Sequence, residues 1–187
     1  STAVWFFDKA SWRNRPKFTA QLHLRYTDGT TEYLGTDSTW QTTDSPVIFN
    51  SIYTAEHYDA QKELAGWDSP GFNATGWYHA QETESPTETI KSQVMHPIRE
   101  TARYTATQCK KINDSCYVYH FPQNIAGVTE LKVKGKKGTK LHLKHGELLD
   151  KNGMVNMANI DYHYRPTDDS DPFQTDIVIP VSYTHLR

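Results

Sequence analysis

The chain of 187 residues lacks most of the features that tie a sequence to a chemistry. It has two cysteines, Cys109 and Cys116, too few for a disulfide scaffold. Neither has a Cys/His partner at zinc spacing, so free thiols or an incidental pair are expected rather than a metal site. No apolar run approaches the roughly 20 residues that span a bilayer. A net charge of −2 removes the electrostatic case for nucleic acid or an anionic membrane as partner. Neither GxSxG nor HExxH occurs, nor does a Gly-rich phosphate loop. "VKGKKGTK" resembles the last only superficially: it lacks the strand–loop–helix context and reads as a hairpin turn with solvated lysines. There is no EF-hand spacing, no internal repeat, no low-complexity tract and hardly any helical period. The start, "STAVWFFDKASWRNRP", has no Met and no basic region followed by an apolar one, so it reads as mid-protein without a secretory signal.

Short alternating segments and aromatic side chains are what remain. The length allows one large or two small domains with a real core. In "KFTAQLHLRYTDGTTEYLGT", Phe18, Ala20, Leu22, Leu24 and Tyr26 alternate with polar residues, a period of two that predicts a half-buried strand. Asp28-Gly29 predicts a hairpin turn, because both residue types accept positive φ, and "TEYLGT" returns as the second strand. His23 falls on the polar side and is read as solvated. "VTELKV" and "KLHLKHGELL" alternate in the same way around the Gly-bearing turn "KGKKGT", and "DKNG" is a further turn. An extended strand is expected near "VMHPIRETARYTATQCKK". "DIVIPVSYTHLR" begins as a strand that Pro180 should end or hold at an edge. Short strands at about ten-residue spacing point to an all-β sandwich architecture. The polar, Pro-punctuated stretch at Glu82 to Glu88 is where a domain boundary is expected.

One segment, "YTAEHYDAQKELAGWDSPGFNATGW" from Tyr53 to Trp77, has no period long enough for a core element, yet concentrates rings, acids and turn residues. Carbohydrate suits it best. Sugar rings stack their C–H faces on Trp and Tyr, and their hydroxyls pair with Asp, Glu, Asn and Gln. The candidate contacts are Glu56, Tyr58, Asp59, Gln61, Trp67 and Trp77. The plainer reading makes the Trp residues plugs at the end of a sandwich and the Asp residues turn caps. No cofactor is otherwise expected; Asp59, Asp68 and Asn73 are the oxygen donors that a Ca²⁺ ion would use. Nothing selects two carboxylates as a glycosidase pair. In "HLKHGE", His142 and His145 would point to opposite faces of a strand, which argues against joint metal ligation.

The same segment resembles bacterial α-L-rhamnosidases, in which Glu-x-Tyr-Asp-Ala-Arg precedes a Gly-Trp, a Gly-Phe-Asp and a closing Trp. Glu56, Tyr58, Asp59, Ala60, Glu63, Gly66, Trp67, Gly71, Phe72 and Trp77 carry the match, with Gln61 in place of the usual Arg and Asn73 in place of the usual Asp. A second block, "YVYHFPQNIAGVTELKVKGKKGTKLHLKHGELL", is similar through Phe121, Gln123, Asn124, Gly127, Gly138, Glu147 and Leu148, and Pro122 departs from the commoner Gly. The likeness runs from about Phe18 to Ile179, and "PVSYTHLR" does not continue it. It implies two β-sandwich units of jelly-roll or galactose-binding-like type. Residues 1–84 would be the later part of an incomplete N-terminal β-sandwich domain, and residues 85–187 the start of a second, concanavalin-like β-sandwich domain.

The resemblance further implies that catalysis belongs to an (α/α)₆ barrel for which this chain has no matching residues. The expected function is therefore the accessory, substrate-recognition region of an α-L-rhamnosidase, a glycoside hydrolase releasing terminal rhamnose, with a rhamnose-containing glycan and that barrel as partners. An autonomous carbohydrate-binding module and a purely structural interdomain sandwich stand as alternatives, and a complete small β-enzyme as a third. The family places such proteins in the periplasm or the cytoplasm. A truncated fragment with a foreign or misread end after Ile179 is expected, and an incomplete first sandwich would leave strand edges open to association.

Overall fold

The computed structural model describes residues 15–51, 55–85, 87–161 and 173–181, and the backbone of 183–186. Of the amino-terminal stretch read above as mid-protein, residues 1–14 lie outside them. The strands in chain order are β1 (Gln21–Arg25), β2 (Thr31–Gly35), β3 (Gln41–Thr42), β4 (Val47–Asn50), β5 (Glu56–Asp59), β6 (Tyr78–His79), β7 (Gln108–Asn113), β8 (Cys116–His120), β9 (Leu131–Lys134), β10 (Leu141–Lys144), β11 (Leu148–Leu149), β12 (Val155–Asn156), β13 (Thr175–Ile179) and β14 (Tyr183–Leu186). One short helical turn, α1 (Ala158–Asp161), accompanies them. The all-β expectation holds. No helix among the described residues is long and apolar enough to cross a membrane.

The described residues fall into two compact units. The first draws on residues 45–63 and 97–187, the second on residues up to 44 and on 64–96. The first unit is organised by a four-stranded mixed sheet in the order β10–β13–β5–β4, in which β13 and β5 run parallel. The run Asp176-Ile177-Val178-Ile179 explains why β13 is interior: β-branched residues suit a strand covered on both faces, and Val178 is buried. Pro180 is fully buried and ends β13, since it has no N–H to continue the ladder. β9 pairs with β14, β11 with β12, and β7 with β8, each antiparallel. All the buried apolar residues among those described, Ala55, Ala60, Val118, Met157, Phe173 and Val178, belong to this unit.

Two expectations need correction here. Part of the segment from Tyr53 to Trp77 does form a core element: β5 lies between β13 and β4. Its sequence, Glu-His-Tyr-Asp, hides this because it is short, polar and held by non-local pairing. Of the stretch Val94 to Lys111, where an extended strand was expected, only the last four residues, Gln108 to Lys111, are strand. Residues 87–107 are irregular, and the strand begins only at Gln108. What fixes the approach is side-chain bonding. Arg103 binds Glu100 and Glu130, the latter at 2.9 Å, and Gln123 Nε2 donates to Tyr104 Oη at 3.0 Å. Both cysteines are free. In the β7–β8 ladder Cys109 sits opposite Tyr119, three residues beyond Cys116. At about 3.3 Å per residue that offset exceeds the reach of a disulfide.

The second unit consists of the β1–β2 hairpin and the β3–β6 pair, both antiparallel. The hairpin forms where expected, but only Gly29 has positive φ, at 87°. Asp28 acts through its side chain instead, accepting from the Thr30 N–H at 2.9 Å and the Thr30 hydroxyl at 2.7 Å. The half-buried face is covered less than the alternation implies: Leu22 and Leu34, paired across the strands, are both about half exposed. His23 is solvated as expected, with its ring edge-on to Tyr33.

Candidate functional site

The six sequence-predicted contacts divide between the units. Glu56, Tyr58, Asp59 and Gln61 belong to the first, Trp67 and Trp77 to the second, with the division falling between Glu63 and Leu64.

In the first unit, strand geometry sends Glu56 and Tyr58 to one face of β5 and His57 and Asp59 to the other. Glu56 opens the strand and is exposed. Its N–H donates to Asp176 Oδ1 at 2.9 Å, and its carboxylate accepts from Asn50 Nδ2 at 3.1 Å. The Tyr58 hydroxyl donates to Glu63 Oε1 at 2.6 Å. Burial first, and then the bond to Glu63 with the charges of Glu63 and Glu56, push the phenol well above its ordinary range, so Tyr58 remains a donor at any neutral pH. Asp59 caps the 3₁₀ turn Ala60–Lys62, accepting from the Gln61 N–H at 3.0 Å and the Gln61 side-chain amide at 3.2 Å. Tyr58, Asp59 and Gln61 therefore spend polar groups on bonds inside the motif.

Sequence reasoning missed two groups that organise this end of the sheet. His145 Nε2 lies 3.0 Å from Asp176 Oδ2, and His145 Nδ1 lies 3.5 Å from the Thr129 hydroxyl. Burial alone would raise the Asp176 carboxyl. The His145 hydrogen bond and the Glu56 N–H outweigh it, with help from the charges of His145 and His57, and hold it below the usual range. No local pattern could have linked Asp176 to Glu56, which stands 120 residues earlier. Glu63 was legible as a motif residue, though its role as the acceptor for Tyr58 was not.

In the second unit, Leu64 to Trp77 is a succession of tight turns. Trp67 N bonds Leu64 O, Ser69 N bonds Gly66 O, Phe72 N bonds Ser69 O, and Trp77 N bonds Ala74 O. Gly71 has φ of 81°, which a residue with a Cβ adopts only at a cost. The ladder holds Trp67 outward at 63% exposure. Trp77 is half-buried, its ring 5.6 Å from that of Phe72. Asn73, standing where the family pattern has Asp, accepts from the Thr75 N–H at 3.0 Å and closes a local turn. Of the three oxygen donors named for Ca²⁺, Asp59 lies in the first unit and Asp68 and Asn73 in the second. No group of three or more His, Cys, Asp or Glu among the described residues has metal-binding geometry.

Residues 2–102 match the alpha-L-rhamnosidase N-terminal domain family, and residues 110–175 the bacterial alpha-L-rhamnosidase concanavalin-like domain family. The chain belongs to the α-L-rhamnosidase family. An α-L-rhamnosidase of Streptomyces avermitilis is 32% identical over 158 residues, which cover 84% of this chain and 15% of that protein. One from Formosa agariphila is 32% identical over 154 residues, covering 76% of this chain and 16% of that protein. The S. avermitilis enzyme solved with L-rhamnose superposes with a TM-score of 0.79 at 29% identity, over 90% of this chain and 16% of that one. The Dictyoglumus thermophilum enzyme gives 0.77 at 29% identity, over 89% and 18%. The chain thus spans between about a seventh and a fifth of the relatives it matches.

Proposed function

We propose that this chain is an accessory, substrate-recognition region of an α-L-rhamnosidase, contributing sugar contacts and scaffold while a barrel elsewhere in the parent polypeptide cleaves the bond. The exposed indole of Trp67 carries the reading: it is 63% exposed on a rigid ladder of turns, in a chain whose matched relatives are enzymes acting on rhamnosides. A flat apolar ring held in water by backbone bonds is suited to stacking on the C–H face of a pyranose. Within the first unit, Glu56 is a separate candidate for a polar sugar contact, exposed and held by Asn50. Calorimetry of the chain with L-rhamnose tests this. Binding is expected, weakened about two- to tenfold in Trp67→Ala, as the loss of one stacked ring implies. The chain alone should not turn over an aryl rhamnoside. Absence of binding by the folded wild-type chain refutes the recognition role.

The structural alternative has an observation of its own. The Tyr58–Glu63 and Asp59–Gln61 bonds commit those side chains to the fold. On this reading Tyr58, Asp59 and Gln61 are scaffold, and the chain contributes no sugar contact of its own.

A further inference from the structure

We propose that Asp176 and His145 form a latch that positions Glu56, and that acidification opens it, making glycan contact through β5 pH-dependent. The positioning half concerns the first unit alone; the glycan half rests on the reading of Glu56 as a sugar contact.

Asp176 lies on the one strand that separates β10 from β5. Its two carboxylate oxygens reach in opposite directions, one to the Glu56 N–H at 2.9 Å and the other to His145 Nε2 at 3.0 Å. The parallel ladder between β13 and β5 begins only at the pair Ile177 and His57. The Asp176 side chain therefore supplies the acceptor for Glu56 that the ladder does not. The far side of the His145 ring is set by the Thr129 hydroxyl at 3.5 Å. Backbone strain supports this placement. Gln174 has φ of 53°, the one non-glycine with positive φ among the described residues, and its carbonyl accepts from the His145 N–H at 2.9 Å. Such conformations persist where the surroundings over-determine them.

The groups facing this carboxylate are few. β5 contributes the Glu56 N–H and His57, and the segment after β10 contributes His145; the Glu56 carboxylate, on the same strand, is held by Asn50 of β4. About a third of the Asp176 side chain is exposed, so protons reach it from solvent. Protonation removes the charge from the acceptor that Glu56 and His145 share. Glu56 then keeps only its bond to Asn50 and its own strand to direct it.

Amide NMR on the ¹⁵N-labelled full chain tests both halves as pH falls from neutral through and below the ordinary carboxylate range near about 4, since Asp176 is held below it. The Glu56 amide resonance should titrate, and its protection from hydrogen exchange should fall about tenfold or more, as expected when an N–H loses a charged acceptor. D176N should show the lowered Glu56 amide protection already at neutral pH, because the charged acceptor is gone at every pH. H145Q should keep the titration but move its midpoint upward, because a cation beside the carboxylate is gone. Should D176N fail to fold, H145Q decides the matter: loss of Glu56 amide protection must follow the shifted midpoint if Asp176 holds that amide. Full Glu56 amide protection at neutral pH in D176N, or an unmoved midpoint in H145Q, overturns the latch. L-rhamnose titrated in parallel should bind less tightly at acid pH in the wild type, with the dependence lost in D176N. Rhamnose binding that is independent of pH overturns the glycan half. A titrating Glu56 amide without rhamnose binding at any pH leaves the positioning intact and removes the recognition role instead.

Discussion

Gly146 offers a sharp test of the packing in the first unit. It follows β10, and a Cβ placed on it would lie 2.6 Å from Val155 Cγ1 and 2.7 Å from Met157 Sδ. Both distances are below anything real Cβ atoms tolerate, so a neighbour must move. Val155 is β-branched, stiff at χ1, and paired with Leu149 in the β11–β12 ladder. Met157 is flexible but only 2% exposed, so its sulfur can yield only into packed surroundings. The opposing term is conformational. The Gly146 backbone is not left-handed, so Ala fits its φ and would by itself stabilise by about 0.4–1 kcal/mol through the unfolded chain. Overpacking at about 1–3 kcal/mol wins. Gly146→Ala is therefore expected to destabilise by about 1–2 kcal/mol, moving a urea midpoint down by roughly half to one molar at a typical slope. Val155→Ala in the G146A background should cost less than Val155→Ala alone, because it removes one of the two clashes. A Gly146→Ala variant as stable as the parent, or single effects that simply add, would refute this account of the β10–β12 packing.

Gly71→Ala makes the complementary case. A Cβ there meets nothing within 4 Å, but φ is 81°, so the cost is conformational, about 1–2 kcal/mol. Asn at the same position should recover part of it, as read from thermal melts. Asp59→Ala removes the cap of the 3₁₀ turn, with an expected loss of about 1 kcal/mol and faster exchange at the Gln61 amide. For Asp176 the sign follows from its lowered carboxyl. The stabilisation is complete above the unfolded carboxylate range of about 3.9 and is lost as pH falls through the lower folded value. Acid unfolding of the wild type should therefore be steeper than that of Asp176→Asn, with the two curves converging at low pH.

The elements that could be read from the sequence are those specified by neighbours in the chain. β1 and β2 flank Asp28-Gly29, β9 and β10 flank Lys136 to Thr139, and in each case alternation and turn chemistry agree within a few residues. β13 was legible for a different reason: four of its five residues are Asp-Ile-Val-Ile, and the proline ends it. β5 was not, because nothing in Glu-His-Tyr-Asp alternates between apolar and polar. Its strand character comes from two partners, one of them β13, more than a hundred positions away. The strand expected over Val94 to Lys111 shows the reverse error over its first part, since residues with β propensity before Gln108 have no ladder partner to pair with.

The motif itself is divided by the kind of interaction that holds it. From Glu56 to Glu63 it is fixed at a distance, by ladder bonds to β13 and β4 and by the Asp176 carboxylate. From Leu64 to Trp77 the backbone bonds that shape it span three residues each, and its one ring contact among the described residues, between Phe72 and Trp77, is also local. A contiguous string of residues therefore belongs to two cooperative systems. The first half can open only with the sheet of the first unit, so exchange at Glu56 and Tyr58 should track that of β13. The second half can loosen turn by turn, and Trp67 can lose its rigid presentation without any loss of the sheet. This is why composition alone could suggest a ligand class but could not place the contacts. Rings and carboxylates that are adjacent in the sequence answer to different folding forces, and each needs its own structural support before it can meet a sugar.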